Sequence, residues 1–403
     1  MKIKIFALTH KKFEVPQDKM YQPLQVGREE KEDLGYLCDN TGDNISAENC
    51  YYSELTGLYW IWKNVHTYKY VGTCHYRRYL LDEIQNVEGW EKFVRRIADM
   101  KYRIHITGSN SKMLSSEIAS TLGGRFMIVD IYPYSFPEYL AAQGKDKNYL
   151  EVLSTKDRAE VVGMCDQYVK YGAFPELVDI RNKREYLNSI YQTIYLGDII
   201  TRNKITNDFA VRLILKKIAE SVTKPLSFNR LSNILKSAGA VLGKQTVINY
   251  VGYMMDSYML FTLQNYAAKL VEKETSPKYY FMDTGLLGLM LMDCSSAQLE
   301  NLVAIELIRR YGRENVFYFE KNVEIDFYVP EEKLAIQVSL QVLDQIDTRE
   351  REIGAFVKLK NFIGDATCLL ITNSEEEELD YEGVHVSVVP VWKWLLQNRK
   401  QDI

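Results

Sequence analysis

The sequence predicts a multidomain α/β protein. Three observations carry that reading: strand-like and helix-like runs alternate along most of the chain, 403 residues leave room for two to four domains, and the text changes character near residue 80. With 46% hydrophobic and 26% charged residues, the composition is that of an ordinary soluble globular protein. A net charge of -4 gives no global attraction to nucleic acid, so any DNA contact must come from a local patch. The cysteines, Cys38, Cys50, Cys74, Cys165, Cys294 and Cys368, are scattered without a CxxC pair, as expected of reduced thiols in a cytoplasmic protein. Only Ile5 to Leu8 are consecutively apolar near the start, and no later window reaches membrane-spanning length, so no membrane contact is expected.

Lys2 to Leu8 alternates polar and apolar residues as a strand does. Thr9-His10-Lys11-Lys12 follows at its carboxyl end, where α/β folds place ligands. The polar stretch Asp39 to Ser46 carries turn signals, Ser53 to Val65 reads as an aromatic helix, and a strand from Tyr70 to Cys74 leads into His75-Tyr76-Arg77-Arg78-Tyr79. The runs THKK, YQPLQVG, GDNIS, ELTGLYWIWKN and HYRRY, in that order, resemble the N-terminal part of a domain family found among capsular and exopolysaccharide glycosyltransferases. The resemblance implies that His10, Lys11, Arg77 and Arg78 face a sugar-nucleotide diphosphate as cations, with Asp43 as a metal or sugar ligand. The residues alone equally fit Arg77 and Arg78 pairing with surface acids, and Trp60 and Trp62 as core. The pattern stops at Tyr79.

From Leu80 an apolar run ends in Asp82-Glu83, and an amphipathic helix follows with Trp90, Phe93, Val94, Ile97 and Ala98 on one face. Next come a strand from Tyr102 to Thr107, the segment Gly108-Ser109-Asn110-Ser111, a helix from Lys112 to Leu122, Gly123-Gly124-Arg125, and a further strand to Ile131 before YPYSFPEYL. This order resembles the second half of an AAA+ ATPase core, in a bacterial and archaeal family that carries a C-terminal endonuclease-like domain. The similarity continues through YGAFPEL, YLNSIYQTIYLGDIITR, KYYFMDTGLL, LENLVAIELIRR, EIDFYV, IQVS and DTRERE.

That resemblance implies ATP and Mg²⁺ as cofactors. Asp82 would hold the metal through water, Glu83 would polarise the attacking water, Asn110 would sense the γ-phosphate, and Arg125 would stabilise transition-state charge. Read alone, Asp82-Glu83 also fits acids placed at a helix start. A phosphate loop needs G-x-x-x-x-G-K-[ST], and the nearest string, Gly239 to Gln245, has one residue too few between its glycines and a glutamine in place of the hydroxyl. It reads as a turn, so the nucleotide site is expected to be degenerate.

Residues 221 to 255 contain Lys224, Arg230, Lys236 and Lys244 with no acid among them. PLSFNRLSNILKSAG followed by TVINYVGYMMDSYMLF reads as a winged helix-turn-helix, and the cations suit contacts to DNA phosphates. The same segment also fits a protein-protein or interdomain module. Strands are predicted at Val316 to Glu320, Val323 to Val329, Leu334 to Leu340 and Thr367 to Thr372, with a helix from about Asp347. Together with Glu306 and Asp326 they match the endonuclease-like core of the resembled family. Gln337 and Ser339 stand where a working nuclease needs a carboxylate and a lysine, so metal-dependent cleavage is not expected and Glu306 and Asp326 read as structural.

The expected fold class is therefore α/β multidomain, with a partial glycosyltransferase-like lobe over 1–79 and a partial AAA+ parallel sheet over 80–145. A helical lid or linker follows over 146–220, then a winged-helix-like segment over 221–290 and a restriction-endonuclease-like α/β domain over 291–403. The expected function is an AAA+ family protein with a degenerate nucleotide site and an inactive endonuclease-like domain, binding DNA or a protein partner. The alternatives are a sugar-nucleotide-dependent glycosyltransferase-like protein, or a fusion of the two in which neither activity remains.

Overall fold

A computed structural model describes residues 3–15, 19, 21–68, 70–75, 78–81, 90–99, 103–108, 127–145, 154–291, 295–343 and 346–397. The chain forms two compact units, Met1–Ile128 and Val129–Ile403. Among the described residues no helix is long and apolar enough to cross a membrane.

Unit 1 is built on strands β1 (Ile3–Thr9), β2 (Tyr21–Gln25) and β3 (Leu37–Cys38), helix α1 (Leu55–Asn64) and strand β4 (Tyr70–His75). The strands are all parallel, in the order β3-β2-β1-β4. The alternation that marks β1 in the sequence suggests one wet face, yet Ala7 and Thr9 are as buried as Phe6 and Leu8. A central parallel strand is covered on both sides, and here Ala7 and Thr9 supply the second buried face. Helix α1 lays Thr56, Gly57, Trp60 and Ile61 toward the sheet. Gly57 makes the approach possible, because a Cβ there would lie 2.6 Å from Val26 Cγ1 and 2.9 Å from Leu8 Cδ2. Trp60 then packs edge-on against Phe6 with ring centroids 6.5 Å apart.

Further along unit 1, β5 (Arg78–Leu81) and β6 (Arg103–Ile106) pair in parallel on either side of α2 (Trp90–Asp99) in sequence. The strand expected to run to Ile131 does not form over the described residues: 127–131 join no ladder, and Met127, Val129 and Ile131 stand exposed. Among the described residues no strand pairs with it, and an apolar run has β-propensity without a sheet to express it.

Unit 2 opens with helices α3 (Phe136–Ala142), α4 (Thr155–Tyr171) and α5 (Lys183–Gln192), then a π-helical stretch, Thr193–Thr201. Serines fix the first two starts. Ser135 with Glu138, and Ser154 with Asp157, each make a reciprocal capping box. Three more helices, α6 (Asp208–Ala219), α7 (Phe228–Ser237) and α8 (Lys244–Asp256), precede β7 (Leu260–Asn265), the short α9 (Leu270–Thr275) and β8 (Lys278–Phe281). After α10 (Thr284–Met290) and α11 (Ser295–Tyr311) come β9 (Phe317–Glu320), β10 (Glu324–Val329), β11 (Leu334–Val338), α12 (Ile346–Ile363), β12 (Thr367–Thr372), β13 (Glu377–Tyr381), β14 (Val384–Pro390) and α13 (Val391–Leu396).

All eight of these strands form one mixed sheet in the order β13-β14-β12-β11-β10-β9-β7-β8. This corrects the expected separate winged helix and endonuclease-like domain. β7 and β8, assigned to the first, continue the sheet assigned to the second, because β7 pairs in parallel with β9, Gln264 opposite Phe317.

Every residue of α11 from Gln298 to Ile308 is buried, so its polar side chains must be satisfied internally. Gln298 Nε2 donates to the carbonyls of Lys170 and Thr284, and Asn301 exchanges two hydrogen bonds with the backbone of Phe281. Glu300 accepts from the Tyr280 hydroxyl at 2.8 Å. Glu306 pairs with Arg309 and Arg310, whose guanidinium groups also donate to the carbonyls of Pro133 and Trp394.

Asp283 caps α10 from a fully enclosed position, accepting from the N–H groups of Ala173, Gly285 and Leu286. Gly172 makes room for it: φ is +80°, and a Cβ would lie 2.0 Å from Asp283 Oδ1. Burial pushes the Asp283 carboxyl up from 3.8 to about 6, against the pull of its three donors. Lys278 is completely buried on β8, with Nζ 3.1 Å from Glu324, 3.7 Å from Asp326 and 3.8 Å from Glu300. Burial opposes its charge, but the three carboxylates outweigh burial and hold its pKa above the ordinary lysine range.

Gly172→Ala is expected to cost about 2 kcal/mol or more in urea unfolding, combining a left-handed backbone with a clash. Lys278→Ala leaves the surrounding buried acids uncompensated and should cost about 3–5 kcal/mol, whereas Lys278→Met should recover part of that loss. Because the fold favours protonated Asp283, its contribution is complete below about pH 4 and is lost as pH rises through 6. The stability difference between the natural chain and Asp283→Asn should therefore shrink by roughly 2–3 kcal/mol from pH 4 to 7. A difference that stays flat would refute the assignment.

Candidate functional site

The four parallel strands of unit 1 all end at one edge. Register places Thr9 beside Gln25, Gln25 beside Cys38, and Leu8 beside His75. Strand order reverses direction at β1: β2 and β3 lie to one side and β4, reached later, to the other. In open α/β sheets the crevice outside such a switch point is where ligands bind. The rim there consists of Thr9-His10-Lys11 after β1, Val26-Gly27-Arg28 after β2, the turn from Asp39 after β3, and His75 at the end of β4.

Asp39 organises this rim. It is fully buried, and Oδ2 accepts from Gly27 N–H at 2.9 Å and Thr56 Oγ1 at 2.7 Å, while Oδ1 accepts from Arg28 N–H at 3.2 Å and Ser46 Oγ at 2.6 Å. One carboxylate thus ties the β2 exit loop to the β3 turn and to the start of α1. Gly27 adopts φ +64°, and the space a Cβ would need is filled by Asn49, whose Cγ would be 2.4 Å away. At the β1 exit, buried Thr9 closes a local turn: its hydroxyl donates to Lys11 O and accepts from Lys11 N–H. The loop beyond is pinned where the Tyr36 hydroxyl bridges the backbone N–H and carbonyl of Phe13. The N–H groups of Lys11, Gly27 and Arg28 all have partners within the rim. Exposed side chains at the β1 end that can donate to an anion are those of His10 and Lys11.

His10 and Lys11 stand exposed at the β1 end of the crevice, where the sequence predicted them. Arg78 is the first residue of β5, and Arg77, Asp82, Glu83, Asn110 and Arg125 lie outside the described residues. Asp43 sits along α1 with its needs partly met: it accepts from the Tyr59 hydroxyl at 3.1 Å and lies 3.8 Å from Lys63 Nζ. Lys63 in turn sits 4.1 Å from the Trp62 ring centroid. Among the described residues no group of three or more His, Cys, Asp or Glu is placed to hold a metal. Trp60 is core, as one reading of the sequence held, whereas Trp62 is exposed. Sequence reading missed Asp39 and Arg28. The signal was present but weak: an acid directly after a two-residue strand, in a stretch that otherwise reads as a polar turn.

In unit 2, Lys224, Arg230, Lys236 and Lys244 are all exposed. The Gly239 to Gln245 string is the turn between α7 and α8, with Gly239 at φ +81° and Lys244 the first residue of α8. Asp326 accepts from Val338 N–H, and Gln337 bridges β10 and β11 by accepting from Asp326 N–H and donating to Glu324 O. Gln337 there fills a gap in the ladder.

The chain is 34% identical over 328 residues to an uncharacterized protein of Methanocaldococcus jannaschii, covering 78% of this chain and 74% of that one. It is 30% identical over 329 residues to an uncharacterized protein of Haemophilus influenzae, covering 79% and 77% respectively. Among solved structures, the apo form of the bifunctional glycosyltransferase WbbM matches 77% of this chain, at 18% identity and a TM-score of 0.20. This chain spans 43% of that protein, and a likeness so slight carries no argument. A family profile for a domain of unknown function matches residues 4–279, running unbroken across the expected seam at residue 79 and through the expected winged helix to Tyr279. That match corrects the reading of this chain as an AAA+ ATPase with an endonuclease-like domain. The chain belongs to the DUF4422 family.

Proposed function

We propose that this protein is glycosyltransferase-like, and that the strand-end rim of unit 1 takes the diphosphate of a sugar nucleotide. The observation that carries the reading is the β3-β2-β1-β4 order, with its switch point between β1 and β4 and His10 and Lys11 on the β1 side. The family profile begins on β1 and includes the whole rim, and the ordered runs THKK, GDNIS and ELTGLYWIWKN are the ones that resemble capsular glycosyltransferase domains.

In this reading Asp39 is a positioning residue. It spends four hydrogen bonds holding the loops and is sealed from solvent, so it is not available to substrate. His10 and Lys11 supply the side-chain donors that a diphosphate needs where the backbone N–H groups are already engaged. The resemblance also assigns Arg77 and Arg78, next along the chain after β4, to the diphosphate. Asp43, which accepts from the Tyr59 hydroxyl and lies near Lys63, would serve as a metal or sugar ligand, as the resemblance implies.

The test is a panel of UDP-, GDP- and CMP-sugars at millimolar concentration, read as a rise in melting temperature. At least one should raise it, and Lys11→Ala should weaken that nucleotide by about tenfold or more, the value of one charge-assisted hydrogen bond. Lys63→Ala, which alters the Asp43 cluster alone, should leave affinity for the free nucleoside diphosphate unchanged. If no member of the panel stabilises the protein, or if Lys11→Ala binds as well as the natural chain, the reading is wrong.

A further inference from the structure

Helices α7 and α8 of unit 2 form a surface that the sugar-nucleotide reading leaves unused. From Ser221 to Met255 the chain has four cations, Lys224, Arg230, Lys236 and Lys244, and no acid, in a protein whose net charge is -4. All four are exposed, and among the described residues none is in an ion pair. Lys224 lines a cavity beside Glu324, Asp326 and Glu350, so Arg230, Lys236 and Lys244 are the cations left for a polyanion.

The helices are fixed from beneath. Leu231 and Leu235 of α7, and Val247, Tyr250, Val251 and Met254 of α8, are buried in the main core of the unit. Opposite them, α8 presents Gln245 and Asn249, one turn apart and exposed, with Gln245 Nε2 donating to Asn249 Oδ1 at 3.1 Å. One more turn along, a Cβ at Gly252 would meet nothing within 4 Å, so this face stays low. Across its 13 residues α8 is about 20 Å long, a length and width that a major groove of about 12 Å accepts.

We propose that α8 docks in the major groove of duplex DNA, with Gln245 and Asn249 toward base edges and Lys236 and Lys244 on the flanking phosphates. Charge complementarity selects a polyanion. The exposed amides, which pair donor with acceptor as adenine does, favour base edges, and the exposed Val241 between Lys236 and Lys244 makes an anionic lipid surface the competing outcome of the test. This surface lies wholly in unit 2, and its test is independent of the nucleotide assay on unit 1.

The experiment is fluorescence anisotropy of the full chain with labelled 25-base-pair duplexes between 50 and 200 mM salt. Binding should weaken with salt with a log–log slope of about -2 to -3, close to one for each of Arg230, Lys236 and Lys244. Lys236→Ala with Lys244→Ala should flatten that slope by about 2. Gln245→Ala with Asn249→Ala should keep the slope and reduce discrimination between duplexes of different sequence. These positions are exposed, so an unchanged melting temperature should accompany each variant. The proposal is overturned by no duplex binding at 50 mM salt, by a slope that the double lysine variant leaves unchanged, or by binding to phosphatidylserine vesicles in place of DNA.

Discussion

Helix α11 is enclosed on every side, and that single constraint shapes unit 2. A buried polar group without a partner costs more than most side chains return, so Gln298, Glu300, Asn301 and Glu306 must each be met from a neighbouring element. Their partners lie on α4, α10, β8 and within α11 itself, and the two arginines paired with Glu306 reach on to Pro133 and to α13. Moving any of these elements breaks a hydrogen bond that water cannot replace. Lys278 belongs to the same network: it is the cation beside buried Glu300 and Asp326 and the exposed Glu324, and its position on β8 requires β7 and β8 to join the large sheet.

Unit 1 uses a buried acid differently. Asp39 satisfies two backbone N–H groups and two hydroxyls at the edge where the parallel strands end, so the loops there are held and their N–H groups consumed. A rim that spends its backbone donors on its own architecture must recognise an anion with side chains, which gives His10 and Lys11 their importance. Gly57 and Gly27 serve the same end from the packing side, one letting α1 rest on β1 and β2, the other leaving room for Asn49.

Much of the architecture was legible along the chain. Strands at β1, β4, β6 and β9 to β12, and the helices α1, α2 and α12, fall within a few residues of where alternation and helical spacing placed them. What misled was the weight given to recognisable text. KYYFMDTGLL and LENLVAIELIRR suggested a catalytic lineage, but in the folded protein they are β8 with the Asp283 cap and the buried face of α11. Text of that kind speaks for packing, and chemistry has to be argued from a site. The family match spans residues 4–279, on both sides of the change of character near residue 80.

By itself the sequence determined the local elements and their order, because strand and helix periodicity, serine caps and glycine turns act over a few residues and need no partner to be read. It also placed His10 and Lys11 at a strand end and four cations in an acid-free stretch. Only tertiary structure decided that β7 and β8 extend the C-terminal sheet, that Asp39 locks the rim, and that Lys278 sits against the buried acids Glu300 and Asp326. Those outcomes depend on residues distant in sequence meeting in a space that water cannot enter, where the strength of each interaction is set by burial rather than by the residue's type.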